Sequence, residues 1–209
     1  MYTDTHIIIF AKAPLPGFAK TRLIPVLGES GAAQVARQLF YHAIEQALTA
    51  QLGTVELCVT PDLEDACWQD LALPEQLILS SQGEGDLGER MARATQAALK
   101  KHDAVLLTGT DCPGLTAALL IEAATLLHRH AACMAPVSDG GYALLGLKQF
   151  DETLFSDIPW STADVAACTR IRLDALNWPF AELGELHDID ELEDLIYLPE
   201  EWKAILHHS

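Results

Sequence analysis

The residue whose position most directly suggests chemistry is an aspartate that follows a predicted hydrophobic strand. Residues 104–115 read AVLLTGTDCPGL, a buried run from Ala104 to Leu107 that leads into a polar turn containing Asp111. Ligands of open α/β sheets gather at the carboxyl ends of strands, where Asp111 would stand. Its carboxylate, without a basic neighbour in the local sequence, is suited to hold a hard divalent cation. The alternative is that Asp111 only turns the chain or caps a helix.

Cations near the start of the chain favour a small anionic ligand. The formal net charge is −17, yet residues 5–28 contain no Asp or Glu and do contain Lys12, Lys20 and Arg22. A local excess of positive charge in so acidic a chain favours phosphate. Prolines and a glycine interrupt regular structure here, and neither GxxxxGK[ST] nor GxGxxG occurs, so side chains would contact the phosphate. A solvated basic loop is the alternative.

Three later loops contain further candidate binding residues. In the turn SQGEGDLGERM, glycines would let a ligand approach the backbone and Arg90 could face it, or the turn is only a flexible connection. In SDGGY, Gly140 and Gly141 could bring the backbone against a substrate that Asp139 binds, or could form only a tight turn. Trp160 could stack on a sugar or base, or pack structurally.

A second pair of acids lies near the end of the chain. Asp188 and Asp190 in HDIDELEDL lie on one side of an extended segment, since side chains two positions apart share a face. Two such carboxylates repel each other unless a cation or a water network joins them. The alternative is an acidic cap on the helix predicted from Glu191. Cys112, beside Asp111, is interpreted as a packing residue because its neighbours are not electropositive.

Strands and helices that would position these residues alternate along the chain. Hydrophobic runs bounded by turn residues predict strands at 6–11, 54–60, 76–80, 104–107, 132–136, 142–147 and 178–186. Helical periodicity and capping residues predict helices at 30–52, 62–71, 87–102 and 116–130, with further helices after residue 162 and from residue 191. The long first helix begins at Ser30 in this prediction.

Size and composition limit the possible functions. No linker divides the 209 residues, so residues 1–209 are predicted to form one domain. The strong negative charge argues against nucleic-acid polymers and anionic membranes as partners. No apolar run approaches the length of a membrane span and no leader sequence is evident, so we expect a cytoplasmic protein. Five irregularly spaced cysteines also favour a reducing compartment.

Six motifs together resemble one protein family in their order and spacing across nearly the whole chain. They are FAKAPLPGFAKTRL, GDLGERM, LLTGTDCP, SDGGY, WST and DIDELEDL. The family is that of bacterial glycosyltransferase-like proteins with a GT-A fold, the nucleotide-diphospho-sugar transferase type associated with arsenosugar biosynthesis. It is similar to the guanylyltransferases of molybdenum-cofactor and phospholactate biosynthesis. The resemblance implies an α/β fold, a mostly parallel twisted sheet with helices on both faces, in agreement with the alternation of elements.

The resemblance also implies roles for individual residues. Lys20 and Arg22 match positions that bind the phosphates of the nucleotide. Asp111 matches the metal-binding DxD-type carboxylate, although TDCP has a single Asp, and Asp190 matches a C-terminal acid that completes the site, with Asp188 beside it. Asp139 and the two glycines after it match the loop on the acceptor side. The chain departs from the related pattern DxDTPEDL, because Glu and Leu replace Thr and Pro.

The leading hypothesis is an enzyme that binds a nucleoside-diphosphate sugar and transfers the sugar to a small acceptor. Mg²⁺ or Mn²⁺ held by Asp111 and Asp190 would neutralise the leaving diphosphate, with positive charge added by Lys20 and Arg22. Asp139 is the candidate base toward an acceptor hydroxyl. One alternative is a nucleotidyltransferase that uses a nucleoside triphosphate and releases pyrophosphate. Another is a non-catalytic nucleotide-binding or scaffold protein.

Overall fold

A β-sheet forms the centre of the molecule. The structure is a computed structural model that describes residues 4–207, and within these residues seven strands form one sheet. The strands are β1 (Thr5–Lys12), β2 (Val55–Thr60), β3 (Ile78–Ser81), β4 (Ala104–Thr108), β5 (Ala132–Pro136), β6 (Tyr142–Leu147) and β7 (Phe180–Glu182). Their order is β3-β2-β1-β4-β6-β5-β7. Strand β6 is antiparallel to both of its neighbours, whereas the other pairings are parallel.

Helices cover both faces of this sheet. The described chain has four α-helices: α1 (Ile24–Ala50), α2 (Leu87–Leu99), α3 (Ala117–Leu126) and α4 (Val165–Ala175). Side chains of the central strand β1 alternate between the faces, as the pleat requires. Ile7 and Ile9 pack in a core with residues of α1 and α3, while Ile8 packs in a second core with residues of α2 and α4. The predicted fold class, a mostly parallel sheet with helices on both faces, is confirmed.

Helix α1 begins earlier than the predicted start at Ser30. Its first turn contains Pro25, which suits this position because a missing N–H costs nothing where no intrahelical partner exists. Gly28 then leaves helical geometry, with φ 69° and ψ 170°, and kinks the helix. The predicted start therefore corresponds to the longer segment after the kink. Buried Phe40 and Ile44 hold this segment on the sheet.

The helices predicted at 87–102 and 116–130 end three and four residues early, and three other predicted elements are much shorter than expected. The predicted helix at 62–71 contains only a 3₁₀ turn, Ala66–Trp68, and the helix predicted from Glu191 is a 3₁₀ segment, Leu192–Tyr197. Segments this short gain too few hydrogen bonds to offset the cost of helix nucleation. The predicted strand at 178–186 pairs only over β7 and at a single bridge between Val137 and Leu186. The remaining 3₁₀ segments are Thr21–Leu23, Glu152–Leu154 and Glu200–His207.

The topology brings several loops to one edge of the sheet. The carboxyl ends of the parallel strands β1 and β4 lie at this edge, together with the turn that joins β5 to the antiparallel strand β6. Loops at this edge contain most of the residues that the sequence singles out. Within residues 4–207, no helix combines the length and apolar character needed to cross a membrane.

Candidate active site

Two adjoining cavities open at the carboxyl edge of the sheet. The first, the hairpin cavity, has a volume of about 420 Å³ and is lined by the turn between β5 and β6 and by Trp160. The second, the loop cavity, has a volume of about 360 Å³ and is lined by the loop between β1 and α1. Both are lined by the same five residues, which we call the shared wall: Phe10, Arg22, Leu87, Asp111 and Asp190. A ligand that spans both cavities would pass these side chains.

An ion-pair cluster lies at the shared wall. The Lys20 Nζ donates hydrogen bonds to Asp111 Oδ1 and, at 2.8 Å, to Asp190 Oδ1. The Lys20 side chain is only 7% exposed, whereas the side chains of Asp111 and Asp190 are 52% and 43% exposed. Burial disfavours the charged form of Lys20, but the two carboxylates outweigh burial and raise the pKa of Lys20. The ammonium therefore stays charged and joins the two acids.

Backbone contacts place Asp190 beside Asp111. Ile189 is fully buried against the first part of α1, and its N–H donates to the Asp111 carbonyl at 3.0 Å. The Asp194 carboxylate accepts the N–H groups of Asp190 and Glu191 at 3.0 and 2.7 Å. With Ile189 directed into the core, the flanking side chains of Asp188 and Asp190 both line the hairpin cavity.

The hairpin cavity carries an excess of negative charge. Burial, followed by repulsion from Asp139, raises the pKa of Asp188 to about 6. Asp139 is itself engaged in the turn, since its Oδ1 accepts the Gly141 N–H at 2.8 Å. Burial and then the charge of Asp111 raise the pKa of the Cys112 thiol well above its usual range. A neutral, buried thiol fits the interpretation of Cys112 as a packing residue.

The predicted phosphate-binding cations differ in their surroundings. Lys12 and Arg22 line the loop cavity, with Lys12 Nζ 4.1 Å from the centre of the Phe18 ring. Arg22 Nη1 makes a long, exposed contact of 3.4 Å with Glu191 Oε1, which leaves its guanidinium accessible.

Arg90 differs from these cations, because it is not among the side chains that line either cavity. Its Nε donates to the Gly85 carbonyl at 2.8 Å, and its Nη1 reaches Gln82 Oε1 at 3.5 Å. In this conformation Arg90 fastens its own loop, which the local sequence could not indicate.

The candidate acceptor-side residues divide between the cavity and the protein itself. Gly141 and Trp160 line the hairpin cavity, but Gly140 does not. Gly140 has φ 91°, and a Cβ there would lie 2.1 Å from the Ala163 carbonyl oxygen. Gly140 therefore permits a close approach of two backbone segments rather than of a substrate. Trp160 rests on Gly88 of α2, where an added Cβ would lie 2.6 Å from the indole Nε1.

Several cavity residues escape prediction from the sequence, among them Phe10, Tyr142 and Gln82. Phe10 belongs to the shared wall, and Tyr142 lines the hairpin cavity with a buried hydroxyl that has no hydrogen-bond partner within the described chain. Buried Gln82 lines the loop cavity, and its Nε2 donates to the carbonyls of Ala11 and Cys58 at 3.3 and 3.1 Å. Gln82 directly follows β3, so its place at a strand end was the available signal.

Oxygen ligands at the shared wall fit a divalent cation. Among the described residues, no group of three His, Cys, Asp or Glu side chains could hold a metal ion by itself. Mg²⁺, however, is usually held by one or two carboxylates together with substrate phosphates and water. Asp111 and Asp190 already converge on one cation, the Lys20 ammonium. The same pair therefore suits a metal ion that arrives with a phosphate.

Comparison with known proteins defines the class to which this fold belongs. The sheet and helices match the nucleotide-diphospho-sugar transferase fold. A structure from Desulfovibrio desulfuricans G20, provisionally described as a nucleotide-diphospho-sugar transferase, is 29% identical and superposes with a TM-score of 0.84, over 98% of this chain and 94% of that chain. Residues 43–162, more than half of the chain, match the family described as "uncharacterized protein conserved in bacteria (DUF2064)". The chain belongs to this family.

Two more distant structures share the fold. Rv0371c from Mycobacterium tuberculosis H37Rv, in complex with manganese, is 15% identical, with a TM-score of 0.54 over 99% of this chain and all of that chain. The 4-diphosphocytidyl-2C-methyl-D-erythritol synthase of Anaerococcus prevotii DSM 20548 is 12% identical, with a TM-score of 0.60 over 99% of this chain and 97% of that chain. No curated protein matches the sequence significantly.

Proposed function

We propose that the protein is a metal-dependent glycosyltransferase. A nucleoside-diphosphate sugar binds in the loop cavity, and its sugar is transferred to a small acceptor in the hairpin cavity. One observation carries this proposal: the two cavities meet at a wall that contains Asp111, Asp190 and Arg22, with Lys20 directly behind the two acids. A diphosphate at this wall would lie between a donor pocket and an acceptor pocket.

Charged side chains of the loop cavity would bind the diphosphate. Lys12 would approach it from the end of β1, and Lys20 and Arg22 from the segment between β1 and α1; the guanidinium of Arg22 can contact two oxygens at once. Asp111 and Asp190 would hold Mg²⁺ or Mn²⁺, and the manganese complex of a protein with the same fold supports this choice of metal. When bound, the cation would neutralise charge that develops on the leaving diphosphate.

Residues of the hairpin cavity would bind and activate the acceptor. An acceptor hydroxyl attacks the anomeric carbon, the bond from that carbon to the diphosphate oxygen breaks, and Asp139 takes the hydroxyl proton. Gly141 and Trp160 would hold the acceptor, with Asp188 beside the wall. Among the described residues that line this cavity, Arg22 is the single Lys or Arg. A neutral or cationic acceptor therefore fits better than a phosphorylated one, which would face Asp139 and Asp188.

The second candidate function is nucleotidyl transfer. The fold neighbour from A. prevotii, described as a 4-diphosphocytidyl-2C-methyl-D-erythritol synthase, supports it. In this reaction, the acceptor attacks the α-phosphate of a nucleoside triphosphate and pyrophosphate leaves. The same shared wall would then face the triphosphate. A third possibility is a protein that binds nucleotide without catalysis, because a fold does not determine activity.

A thermal-shift panel separates these functions. Nucleoside-diphosphate sugars and nucleoside triphosphates are each added with and without Mn²⁺, since a ligand at a hundred times its Kd stabilises the fold by about 2.7 kcal/mol. Glycosyl transfer predicts Mn²⁺-dependent stabilisation by a diphosphate sugar, followed by release of nucleoside diphosphate. A response to one triphosphate, with pyrophosphate released on adding acceptor, would favour nucleotidyl transfer. Binding without any product would favour the non-catalytic protein, and no binding at all would contradict the proposal.

A further inference from the structure

We infer that Lys20 is an internal counterion that holds the metal position when no nucleotide is bound. A divalent cation then binds tightly to Asp111 and Asp190 only after a nucleotide phosphate has drawn the Lys20 ammonium away. This inference rests on the proposed nucleotide site, and it adds an order and a coupling to binding there. Nucleotide and metal would each raise the affinity of the protein for the other.

Geometry shows that the ammonium and a metal ion compete for the same oxygens. Lys20 Nζ contacts Oδ1 of both Asp111 and Asp190. Its side chain is far more buried than either carboxylate, so the ammonium enters the pair from the protein side and leaves the acids half open to the cavities. A dication placed between these oxygens would repel the ammonium at contact distance. The Lys20 ammonium and a divalent cation therefore cannot occupy this position at the same time.

The loop cavity offers Lys20 a second anionic partner. Lys20 lines this cavity together with Lys12 and Arg22, so a phosphate bound by those two side chains lies within reach of the flexible Lys20 side chain. Movement of Nζ to the phosphate would expose two carboxylates that then lack a counterion. The phosphate would thus both remove the competing cation and add oxygen ligands for the metal. Reciprocal coupling of the two affinities follows from thermodynamic linkage.

Mn²⁺ binding without nucleotide provides the direct test. Free Mn²⁺ is counted by electron paramagnetic resonance during titration of the wild type and of Lys20→Met, which keeps a long side chain without the charge. We expect the Kd for Mn²⁺ to fall on the order of tenfold or more in Lys20→Met. Lys100→Met is the matched control, because it removes one exposed positive charge after α2, away from the shared wall; its Kd should equal that of the wild type.

Two further variants make the result specific to this position. Lys20→Gln is a second neutral replacement and should behave as Lys20→Met does. Adding Asp190→Asn to Lys20→Met should abolish the gain in Mn²⁺ affinity. That result would show that the metal occupies the position that the ammonium holds in the wild type. Equal Mn²⁺ affinity in the wild type and both Lys20 variants would overturn the inference. The inference would also be overturned if the wild type bound Mn²⁺ tightly without nucleotide and Asp190→Asn removed that binding. This second test does not depend on any Lys20 variant.

Addition of a nucleoside diphosphate then tests the coupling. In the wild type, the nucleotide should raise Mn²⁺ affinity by two routes, through its own oxygens and through release of Lys20. In Lys20→Met only the first route remains. The rise in Mn²⁺ affinity caused by the nucleotide should therefore be smaller than in the wild type, by about the factor that Lys20→Met gains over the wild type without nucleotide. An undiminished enhancement would overturn the inference. If no nucleotide binds but Lys20→Met still gains Mn²⁺ affinity, the proposed function fails while the counterion role of Lys20 stands.

Discussion

Asp111 is the residue on which the two cavities and the C-terminal segment converge. Its carboxylate binds Lys20, its carbonyl accepts the Ile189 N–H, and its side chain lines both cavities. Half-exposed acids paired with a buried lysine are arranged differently from a surface salt bridge, in which both partners are solvated. The arrangement leaves the carboxylate oxygens accessible to a ligand.

Asp111→Asn removes the charge at this point and keeps the shape. If Asp111 contributes to charge stabilisation in the transition state, the turnover number should fall on the order of a hundredfold or more. The measurement uses the donor that the thermal-shift panel selects. Asp103→Asn, an exposed acid just before β4 and away from the cavities, is the control and should keep wild-type turnover. Wild-type turnover in Asp111→Asn would remove the metal proposal.

Gly88 shows a second residue-scale constraint, the contact between α2 and Trp160. A Cβ at Gly88 would lie 2.2 Å from the Phe155 carbonyl oxygen as well as close to the indole. Gly88→Ala should therefore lower the free energy of unfolding by about 1 kcal/mol, since overpacking of about 1–3 kcal/mol outweighs a helix-propensity gain of up to about 1 kcal/mol. Urea unfolding measures this change. Gly109→Ala, with nothing within 4 Å of the added Cβ, should be nearly neutral; equal losses would contradict the packing argument.

At the scale of elements, one helix contacts two cores. Some residues of α1 after Gly28 pack on the sheet, whereas others, from buried Leu27 before the kink to Leu39 after it, belong to a cluster with Ile189 and Leu195. That cluster holds the C-terminal segment against α1 and thereby places Asp190 beside Lys20. The first turn of α1 thus helps to position Asp190 in the candidate site.

Gly28→Ala tests the kink. The φ of 69° at Gly28 is unfavourable for an L-residue, so alanine should lower the free energy of unfolding by about 1–2 kcal/mol. No atom lies within 4 Å of the added Cβ, so the loss would come from backbone strain alone. Gly184→Ala, also without a close neighbour, is the matched control and should be neutral in the same urea titration. An unchanged midpoint in Gly28→Ala would show that the kink relaxes freely.

A polar contact links the neighbouring strands β1, β2 and β3 near the amino-terminal ends of β1 and β2, away from the cavities. Glu56 of β2 accepts a hydrogen bond from His6 of β1 at 2.8 Å and another from Ser80 of β3. Burial of Glu56 opposes its ionisation, but the hydrogen bonds from His6 and Ser80 outweigh burial and lower the pKa of Glu56. The ionised glutamate therefore stabilises the fold.

Glu56→Gln should reveal this contribution through its pH dependence. The variant should lose about 1 kcal/mol at pH 7. Between the ordinary glutamate pKa of about 4.3 and the lowered pKa of the folded protein, the unfolded chain binds more protons. The wild-type advantage is therefore complete above that ordinary value and disappears as the pH falls through the lowered one. Urea midpoints at several pH values measure it, and a difference that does not change with pH would contradict the contribution of the ionised glutamate.

At the scale of the whole molecule, we propose that the chain folds as a single domain. The central strand β1 contributes residues to the cores on both faces of the sheet, so neither face can lose its helices independently. Urea unfolding should give coincident transitions by tryptophan fluorescence and by far-ultraviolet circular dichroism. Two separated transitions would show that part of the chain unfolds by itself.

The order of elements could be predicted from the sequence because it depends on local patterns. Runs such as 132–136 and 142–147 have the length and apolar content of buried strands, and their predicted bounds coincide with β5 and β6. Asp111 and Asp139 could be placed at strand ends for the same reason. Short elements were less predictable: the segment at 62–71 has helical composition, but it forms only one 3₁₀ turn. Nearby residues alone do not decide whether so short a helix persists.

Only the tertiary structure decided how the charged side chains are paired. Lys20 lies 91 positions from Asp111 and 170 from Asp190 in the chain, yet one ammonium joins both acids. Sequence patterns predicted a phosphate-binding cation and metal-binding acids separately, without any signal that they neutralise one another. Arg90 and Gly140 likewise contact other parts of the protein, the Gly85 carbonyl and the Ala163 backbone, rather than either cavity. Local sequence determines which elements form, but the strand order and loop packing determine where each side chain points, and electrostatic partners depend on that direction.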